Sequence, residues 1–179
     1  MNQENLRPAT LVGTQGTVIA VCTSKKKGTR KQNVHQAELR PEWGVVGDAH
    51  AANWHRQVSL LAWESIEKMR ALGLNVNVGS FAENITTQGM SLVDLPVGTH
   101  LRLGEALVEV TQIGKVCHER CAIYYQAGDC VMPREGIFVR VHQGGQVKVG
   151  DMVEVLQVPL TAGEADERRL RSPDEATGS

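Results

Sequence analysis

Short runs of β-branched and aliphatic residues, separated by glycine-containing turns, recur through most of this sequence and constrain its fold more than any other feature. The runs cover residues 17–24, 57–62, 107–112, 137–142, 146–149 and 152–156. Their length and their alternation of apolar and polar positions are typical of β-strands, and Gly144-Gly145 predicts a hairpin turn between the fourth and fifth runs. Many short strands with few helices predict a mainly β fold, a closed or half-closed β-barrel with one or two appended helices.

One segment has a clear helical pattern. Residues 63–72 place Trp63, Ile66, Met69 and Leu72 at helical spacing, and Gly73 follows where a helix commonly ends. A second, short helix is predicted over residues 119–126.

The length of 179 residues suits one domain. We predict a flexible N-terminus over residues 1–14, the barrel domain over 15–156 and a disordered tail over 157–179. The tail mixes Pro, Gly, Ser and charges of both signs, and it lacks the apolar surface that would offset the entropy of ordering it.

Charge and hydropathy exclude several classes of function. With 19 Lys+Arg against 20 Asp+Glu, the formal net charge is −1, which argues against broad nucleic-acid binding. No apolar run approaches the roughly 18–20 residues that span a bilayer, and the first ten residues lack the apolar core of a signal peptide. We therefore expect a cytoplasmic protein that binds neither nucleic acid nor membranes.

Three of the four cysteines, Cys117, Cys121 and Cys130, lie within fourteen positions of one another. In a reducing compartment such a cluster indicates metal, cofactor or thiol chemistry more than a disulfide framework. Neighbouring cations lower the pKa of a thiol and so favour the reactive thiolate. The cations of this stretch are Lys115, His118 and Arg120. We predict reactive thiols here, although any one of the cysteines is also compatible with an inert core position.

Two other functions remain open for the same cluster. Cys117, His118, Cys121 and Cys130 supply the donors of a Cys₃His zinc site, as in a small structural or interaction module. The spacing disfavours it, because Cys130 stands alone instead of in a second closely spaced pair. The other function is a thiol redox sensor in which Cys117 and Cys121 form a reversible disulfide, which requires Cα atoms within about 7 Å.

A second polar group lies at residues 44–57 (GVVGDAHAANWHRQ). It holds Asp48, His50, His55 and Arg56 among small residues that let a ligand approach the backbone. Arginine and histidine side chains beside backbone amides suit an anion such as a phosphate. We expect anion binding here, with a solvated connector as the alternative.

Two further segments have weaker patterns. The basic run over residues 24–31 (SKKKGTRK) predicts an exposed loop, either a solvated turn or a positive rim that attracts a phosphorylated ligand. No aromatic residues are interleaved for stacking on nucleic-acid bases. Residues 79–89 (GSFAENITTQG) offer hydrogen bonds to a heterocycle or, as a polar turn, to the main chain.

Four segments follow one another in an order that is informative. They are GDAHAANWHRQVSLLAWES, GSFAENITTQG, LPVGTHLRLGEALVEVTQIGKVCHERC and GIFVRVHQGGQVKVGD. Together they resemble the MOSC family, named after the C-terminal domain of molybdenum cofactor sulfurases, over roughly residues 15–156. The chain is similar to the small bacterial stand-alone members. The resemblance implies a β-barrel with a pocket for the molybdenum cofactor, a molybdopterin phosphate that carries the metal on dithiolene sulfurs.

The resemblance also implies a role in binding this cofactor or in carrying sulfur to its metal, as a carrier more than as an enzyme. A sulfur donor protein and an acceptor molybdoenzyme are the implied partners. The family's hallmark cysteine, proposed to ligate molybdenum or carry a persulfide, matches Cys117 or Cys121, with Cys121 favoured as the metal ligand. The residues expected to bind or surround the cofactor are Arg56, His55, His50, Asp48, Asn84, Lys115, His118 and Arg134.

Pyridoxal phosphate is associated with the family only through fused members that carry an aminotransferase-like domain. No such domain is recognisable here, so we expect no pyridoxal-dependent release of sulfur from cysteine by this chain alone.

Overall fold

Strands are the main regular secondary structure of the computed structural model, which describes residues 6–8, 15–116, 122–128 and 130–159. The strands are β1 Leu6–Pro8, β2 Gln15–Thr23, β3 Gln32–Asn33, β4 Gln36–Arg40, β5 Gly44–Val45, β6 Val58–Ala62, β7 Ile85–Gln88, β8 His100–Leu103, β9 Ala106–Ile113, β10 Ile137–Gln143, β11 Gly145–Lys148 and β12 Met152–Pro159. The helices are α1 Trp63–Ala71, α2 Ala122–Ala127 and α3 Met132–Glu135. None of these helices has the length and apolar character required to cross a bilayer.

Seven strands close into a barrel. Their order is β12-β8-β9-β10-β6-β7-β2, and β2 pairs back onto β12 to complete the ring. Neighbouring strands are antiparallel except β6 and β7, which run parallel because α1 and the segment after it connect them. Closure leaves no open sheet edge in the ring. The predicted mainly β barrel with few helices is confirmed.

Two apolar clusters hold the barrel and its helices together. Alternate residues of β9, such as Val108 and Val110, point inward, as a strand period of two dictates. Strand β6 is buried on both faces: Leu60 packs inside the barrel, whereas Leu61 packs under the helices with Ile66. A strand covered on both faces needs a continuous apolar run, which explains its sequence VSLLA.

Helix α1 begins at Trp63 as predicted and ends one residue earlier. Ile66 and Met69 are buried, but Leu72 is 62% exposed, so its predicted place on the packed face is wrong. It lies at the C-terminal cap, where the chain leaves the helix and Gly73 adopts a φ of +90°. The second predicted helix corresponds to α2, and positions 119–121 of the prediction lie outside the described residues.

The predicted hairpin at Gly144-Gly145 is wrong. Strand β11 pairs with β4, in a separate three-stranded sheet of order β11-β4-β5, and not with β10. A Cβ atom on Gly145 would lie 2.6 Å from the Cβ of Glu105, and one on Gly144 would lie 2.7 Å from the carbonyl oxygen of Leu39. The two glycines therefore permit close packing of chain segments instead of forming a two-residue turn.

The sheet extends beyond the predicted limits of the barrel domain. Strand β12 runs to Pro159, and Leu6–Pro8 pairs antiparallel with its last residues. These residues belong to the sheet, although the sequence assigned them to flexible and disordered segments. Most of both terminal segments lies outside the described residues, so their predicted boundaries stay predictions.

Candidate functional site

A cavity of about 190 Å³ lies where the segment after β5 meets the start of β10 and the end of β9. We call it the Arg56 cavity. It brings together four residues that the sequence proposed, although they come from separate segments of the chain. The residues that line it are His50, Trp54, Arg56, Ser59, Ala82, Asn84, Lys115, Met132 and Phe138.

Arg56 is held in place by aromatic rings. Its guanidinium carbon lies 4.5 Å from the ring centroid of Trp54 and 5.5 Å from that of Phe138. Such cation–π stacking orients the guanidinium plane and leaves its N–H groups available for a ligand. The Nε of Arg56 and the indole Nε1 of Trp54 are both buried, and neither has a hydrogen-bond partner among the described residues. Because buried donors are normally paired, these two indicate that an acceptor belongs in the cavity.

His50 contributes a neutral imidazole. Its Nδ1 lies 3.0 Å from the Nζ of Lys31. An ammonium group only donates, so Nδ1 accepts this hydrogen bond and the ring proton sits on Nε2. Burial lowers the pKa of His50, and the charge of Lys31 lowers it further, whereas Asp48 acts in the opposite direction. His50 therefore presents an N–H donor at neutral pH without carrying a charge.

Asp48 supports the wall of the cavity and does not line it. Its carboxylate forms a buried ion pair with Lys31 at 2.6 Å and accepts hydrogen bonds from the backbone amides of Ser24 at 3.0 Å and His50 at 3.1 Å. Burial acts to raise the pKa of Asp48, but the hydrogen bonds from Lys31 and Ser24 outweigh it and hold the pKa below its usual range. Asp48 thus fixes the position of His50.

Asn84 is both a lining residue and a connection between strands. Its Oδ1 accepts a hydrogen bond from the amide of Ser59 at 3.1 Å, and its Nδ2 donates to the carbonyl of Cys22 at 3.1 Å. The neighbouring Glu83 is fully buried and accepts hydrogen bonds from the amides of Gly79 and Phe81. Burial raises the pKa of Glu83. The polar residues of this segment therefore serve the turn before β7.

The other predicted residues that the structure describes, Asp48, His55 and Arg134, do not line the Arg56 cavity. His55 is exposed, and its Nε2 lies 2.8 Å from the Oε1 of Gln112. Arg134 is exposed on α3. Cys117, His118 and Cys121 lie outside the described residues.

A larger cavity of about 420 Å³ adjoins the first, sharing Ala82, Lys115 and Met132 with it. We call it the Cys130 cavity. Arg30, from the basic run, lies on its rim and donates from Nη1 to the hydroxyl of Ser80 at 3.3 Å. The two cavities are therefore neighbours, and each is lined by cations: Arg56 and Lys115 in the first, Arg30 and Lys115 in the second. The residues that line the larger one are Gly28, Thr29, Arg30, Ser80, Phe81, Ala82, Lys115, Ala122, Ile123, Cys130 and Met132.

The electrostatic character of the Arg56 cavity favours an anion. Arg56 and Lys115 are cationic, and none of the described lining residues carries a carboxylate. Of the two acids beside the cavity, Asp48 is paired with Lys31, and burial raises the pKa of Glu83. The cavity therefore combines two charges with N–H donors, which is the chemistry that binds a phosphate.

Sequence reasoning missed Trp54, Phe138 and Lys31. Trp54 had a local signal, because an aromatic residue two positions before an arginine in a polar loop can stack on it. In the sequence, Phe138 has the pattern of an ordinary strand residue. It lies beside Arg56 only because β10 pairs with β6. Lys31 belongs to a run of exposed cations and gives no sign of its burial.

Comparison with known proteins gives a consistent result. The family model described as MOSC domain matches residues 47–154. The structure is similar to that of the YuaD protein from Bacillus subtilis, with a TM-score of 0.68 and 15% identity over 82% of this chain and 97% of that chain. It is also similar to YiiM from Geobacillus stearothermophilus, with a TM-score of 0.59 and 19% identity over 79% of this chain and 75% of that chain. For YiiM from Escherichia coli the TM-score is 0.58, with 22% identity over 90% of this chain and 80% of that chain. No curated protein matches the chain in sequence. These structural likenesses establish the fold alone.

Proposed function

The chain belongs to the MOSC domain family, and from this premise we propose that it binds the molybdenum cofactor in the Arg56 and Cys130 cavities and carries sulfur on Cys121 or Cys117. The family is associated with that cofactor, whose phosphate is a compact anion. Binding and carriage are proposed without a catalytic turnover by the isolated chain.

The observation that carries the proposal is the pair of unpartnered buried donors, Arg56 Nε and Trp54 Nε1. They lie in a cavity with a second cation, Lys115, and without a carboxylate among its described lining residues. A phosphate oxygen satisfies such donors and neutralises the charges, whereas an apolar or cationic ligand does neither.

The residues of the two cavities fit the parts of the cofactor. Arg56, Lys115 and the Nε2–H of His50 would hold the phosphate. Apolar side chains of the Cys130 cavity, such as Phe81 and Ile123, would cover a flat heterocycle. When bound, the cofactor supplies a molybdenum ion on dithiolene sulfurs, for which a thiolate is a suitable additional ligand.

The position of the thiols in the sequence supports sulfur carriage near this space. Lys115 and Ala122 both line the Cys130 cavity, and Cys117 and Cys121 lie between them along the chain. A cysteine thiolate that attacks the outer sulfur of a donor persulfide forms a new S–S bond while the donor's S–S bond breaks and its thiolate leaves. The exchange involves no net oxidation, so it needs no further reactant. The charge of Lys115 would favour the thiolate that begins it.

Arg56→Gln tests the binding half of the proposal. The full chain is purified from cells supplied with molybdate, and bound pterin is read by native mass spectrometry and by fluorescence of the denatured extract. We expect pterin with the wild-type chain, strong loss with Arg56→Gln and partial retention with Arg56→Lys, which keeps the charge but not the planar fork. Arg102→Gln removes an exposed arginine outside both cavities and serves as the control. Equal loading of all four proteins would contradict the proposal.

Cys121→Ser tests the sulfur half. We expect the variant to lose the 32-dalton persulfide adduct or the bound cofactor while its circular dichroism spectrum stays that of the wild type. If it keeps both, Cys117→Ser becomes the deciding variant, and retention by both variants would refute thiol-based carriage. If the wild-type protein holds zinc but no pterin, and the Cys117 and Cys121 variants lose that zinc, the result would favour a zinc-binding interaction module. A Cys117–Cys121 disulfide under mild oxidant, without cofactor affinity, would favour a redox sensor.

A further inference from the structure

Two histidines and a glutamate lie together on the outer face of the barrel, away from both cavities. His100, Glu109 and His142 come from the three adjacent strands β8, β9 and β10. His100 is the direct cross-strand partner of Glu109, which alternates outward between the inward-facing Val108 and Val110. Because the cavities lie at the opposite ends of β9 and β10, this cluster has no part in the proposed function.

The third residue of the cluster, His142, lies in a β-bulge of β10. The register between β10 and β9 shifts between Val141 and Gln143, so His142 sits at the irregularity. A β-bulge re-aims the side chain of the residue it contains. Here the Nε2 of His142 lies 2.7 Å from the Oε2 of Glu109, and the two imidazole rings are 5.5 Å apart between centroids.

We propose that His100, Glu109 and His142 bind a divalent transition-metal ion, with Zn²⁺ as the ion that fits best. One donor atom from each residue lies within 4.8 Å of the others. Around tetrahedral zinc, ligand atoms at bond lengths of about 2.0–2.2 Å are roughly 3.4 Å apart, so small side-chain rotations suffice to close the site. Two imidazoles and one carboxylate are a donor set of three-residue zinc sites, and they leave a fourth position for water.

The state of His100 supports this assignment. Its Nε2 is buried and has no hydrogen-bond partner among the described residues, so a ring nitrogen is unsatisfied beside two potential ligands.

Two arginines near the cluster carry charges that repel a metal cation. Arg140 stands opposite Glu109 in the register of β9 and β10, and Arg102 projects from the exposed side of β8. Both arginines are exposed. Water screens exposed charges, so the repulsion that these two arginines exert on a bound cation is weak.

Calorimetric titration of the full chain with ZnCl₂ tests the proposal. The protein is first stripped with a chelator, and the Cys117→Ser/Cys121→Ser background removes two of the three clustered thiols. We expect one zinc per chain, with affinity reduced by more than about tenfold in His100→Ala, in His142→Ala and in the nearly isosteric Glu109→Gln. His35→Asn removes an exposed imidazole elsewhere and should leave affinity unchanged, since asparagine tolerates the φ of +66° at that position.

The proposal is overturned if the Cys117→Ser/Cys121→Ser chain does not bind zinc, or if the His100 and His142 variants bind zinc as tightly as that parent chain. Circular dichroism confirms that each variant is folded before its affinity is compared. Cofactor loading is measured on the His100, Glu109 and His142 variants made with all cysteines intact, and it should not change, so failure of the zinc site is distinguishable from failure of the proposed function.

Discussion

Lys31 and Asp48 form an ion pair that water barely reaches. Lys31 is 4% exposed, although the four other cations in its run are exposed. Burying two charges costs several kcal/mol per ion, and the pair persists only where further hydrogen bonds satisfy it. Those bonds come from the Ser24 amide and hydroxyl and from His50. The pair therefore ties the basic loop to the segment that carries the candidate site.

Asp48→Asn should lower the free energy of unfolding at pH 7 by about 3–5 kcal/mol, because it leaves a buried ammonium without its counter-ion. The pKa of Asp48 is depressed in the folded state. Its contribution is therefore present above the ordinary carboxyl pKa of 3.8 and is lost as pH falls through the lower folded value. Urea denaturation at several pH values should show the difference between variant and wild type shrinking below about pH 4.

Glu38→Gln is the matched control, since the Glu38–Arg40 pair is exposed on both sides. Its removal should cost less than about 1 kcal/mol. Equal losses in the two variants would show that burial does not set the strength of the Lys31–Asp48 pair.

Cys22 should be unreactive in the folded protein. It is fully buried in β2, and burial together with the nearby Glu83 raises the pKa of its thiol to about 12. The thiolate is the reactive form, and very little of it exists at pH 8. Iodoacetamide followed by peptide mapping should label Cys22 only after denaturation. Labelling in the native state, at the rate of a free cysteine, would disprove this and would complicate any assignment of sulfur carriage.

Among the secondary-structure elements, the turn before β7 is held in place by its contact with the basic loop, residues 24–31. The amide of Lys31 donates to the carbonyl of Gly79 at 2.9 Å, and a Cβ atom on Gly79 would lie 2.1 Å from the carbonyl oxygen of Lys31. Glu83 accepts the hydrogen bond of the Gly79 amide from the other side. The turn and the loop therefore position each other, and Asn84 follows directly in the cavity wall.

Gly79→Ala should destabilise the protein more than Gly73→Ala. Both glycines have a left-handed φ, +78° and +90°, which costs a residue with a Cβ roughly 1–2 kcal/mol. Gly79→Ala adds a backbone clash, whereas nothing lies within 4 Å of a Cβ at Gly73. Thermal denaturation of the two variants measures the difference. Equal melting temperatures would mean that the backbone relaxes to admit the methyl group.

At the scale of the whole molecule, β12 holds the ring together. It pairs with β2 and β8 within the barrel and with β1 beyond it, and Val158 near its end is 4% exposed in the barrel core. The barrel closes only because this last strand returns to the first long one. Its stability therefore depends on residues at the far ends of the described chain.

Truncation after Leu156 should lower the free energy of unfolding by at least about 1.5–3 kcal/mol, the value of burying one valine side chain. It also removes the residues that pair with Leu6–Pro8. Truncation after Pro159 keeps Val158 and that pairing, and we expect it to match the full chain. Urea denaturation of the two truncated proteins makes the comparison. Equal stability of both would show that the end of β12 is dispensable.

The sequence by itself determined the fold class, because strand alternation and helical spacing are local periodicities that each segment carries independently. It also pointed to His50, Arg56, Asn84 and Lys115, whose side chains have the chemistry of anion binding wherever they lie. Only the tertiary structure decided which of them meet, since Arg56 and Phe138 are brought together by strand pairing. The burial of Lys31, the role of Gly145 and the juxtaposition of His100 with His142 likewise depend on neighbours distant in sequence, and no local pattern encodes such neighbours.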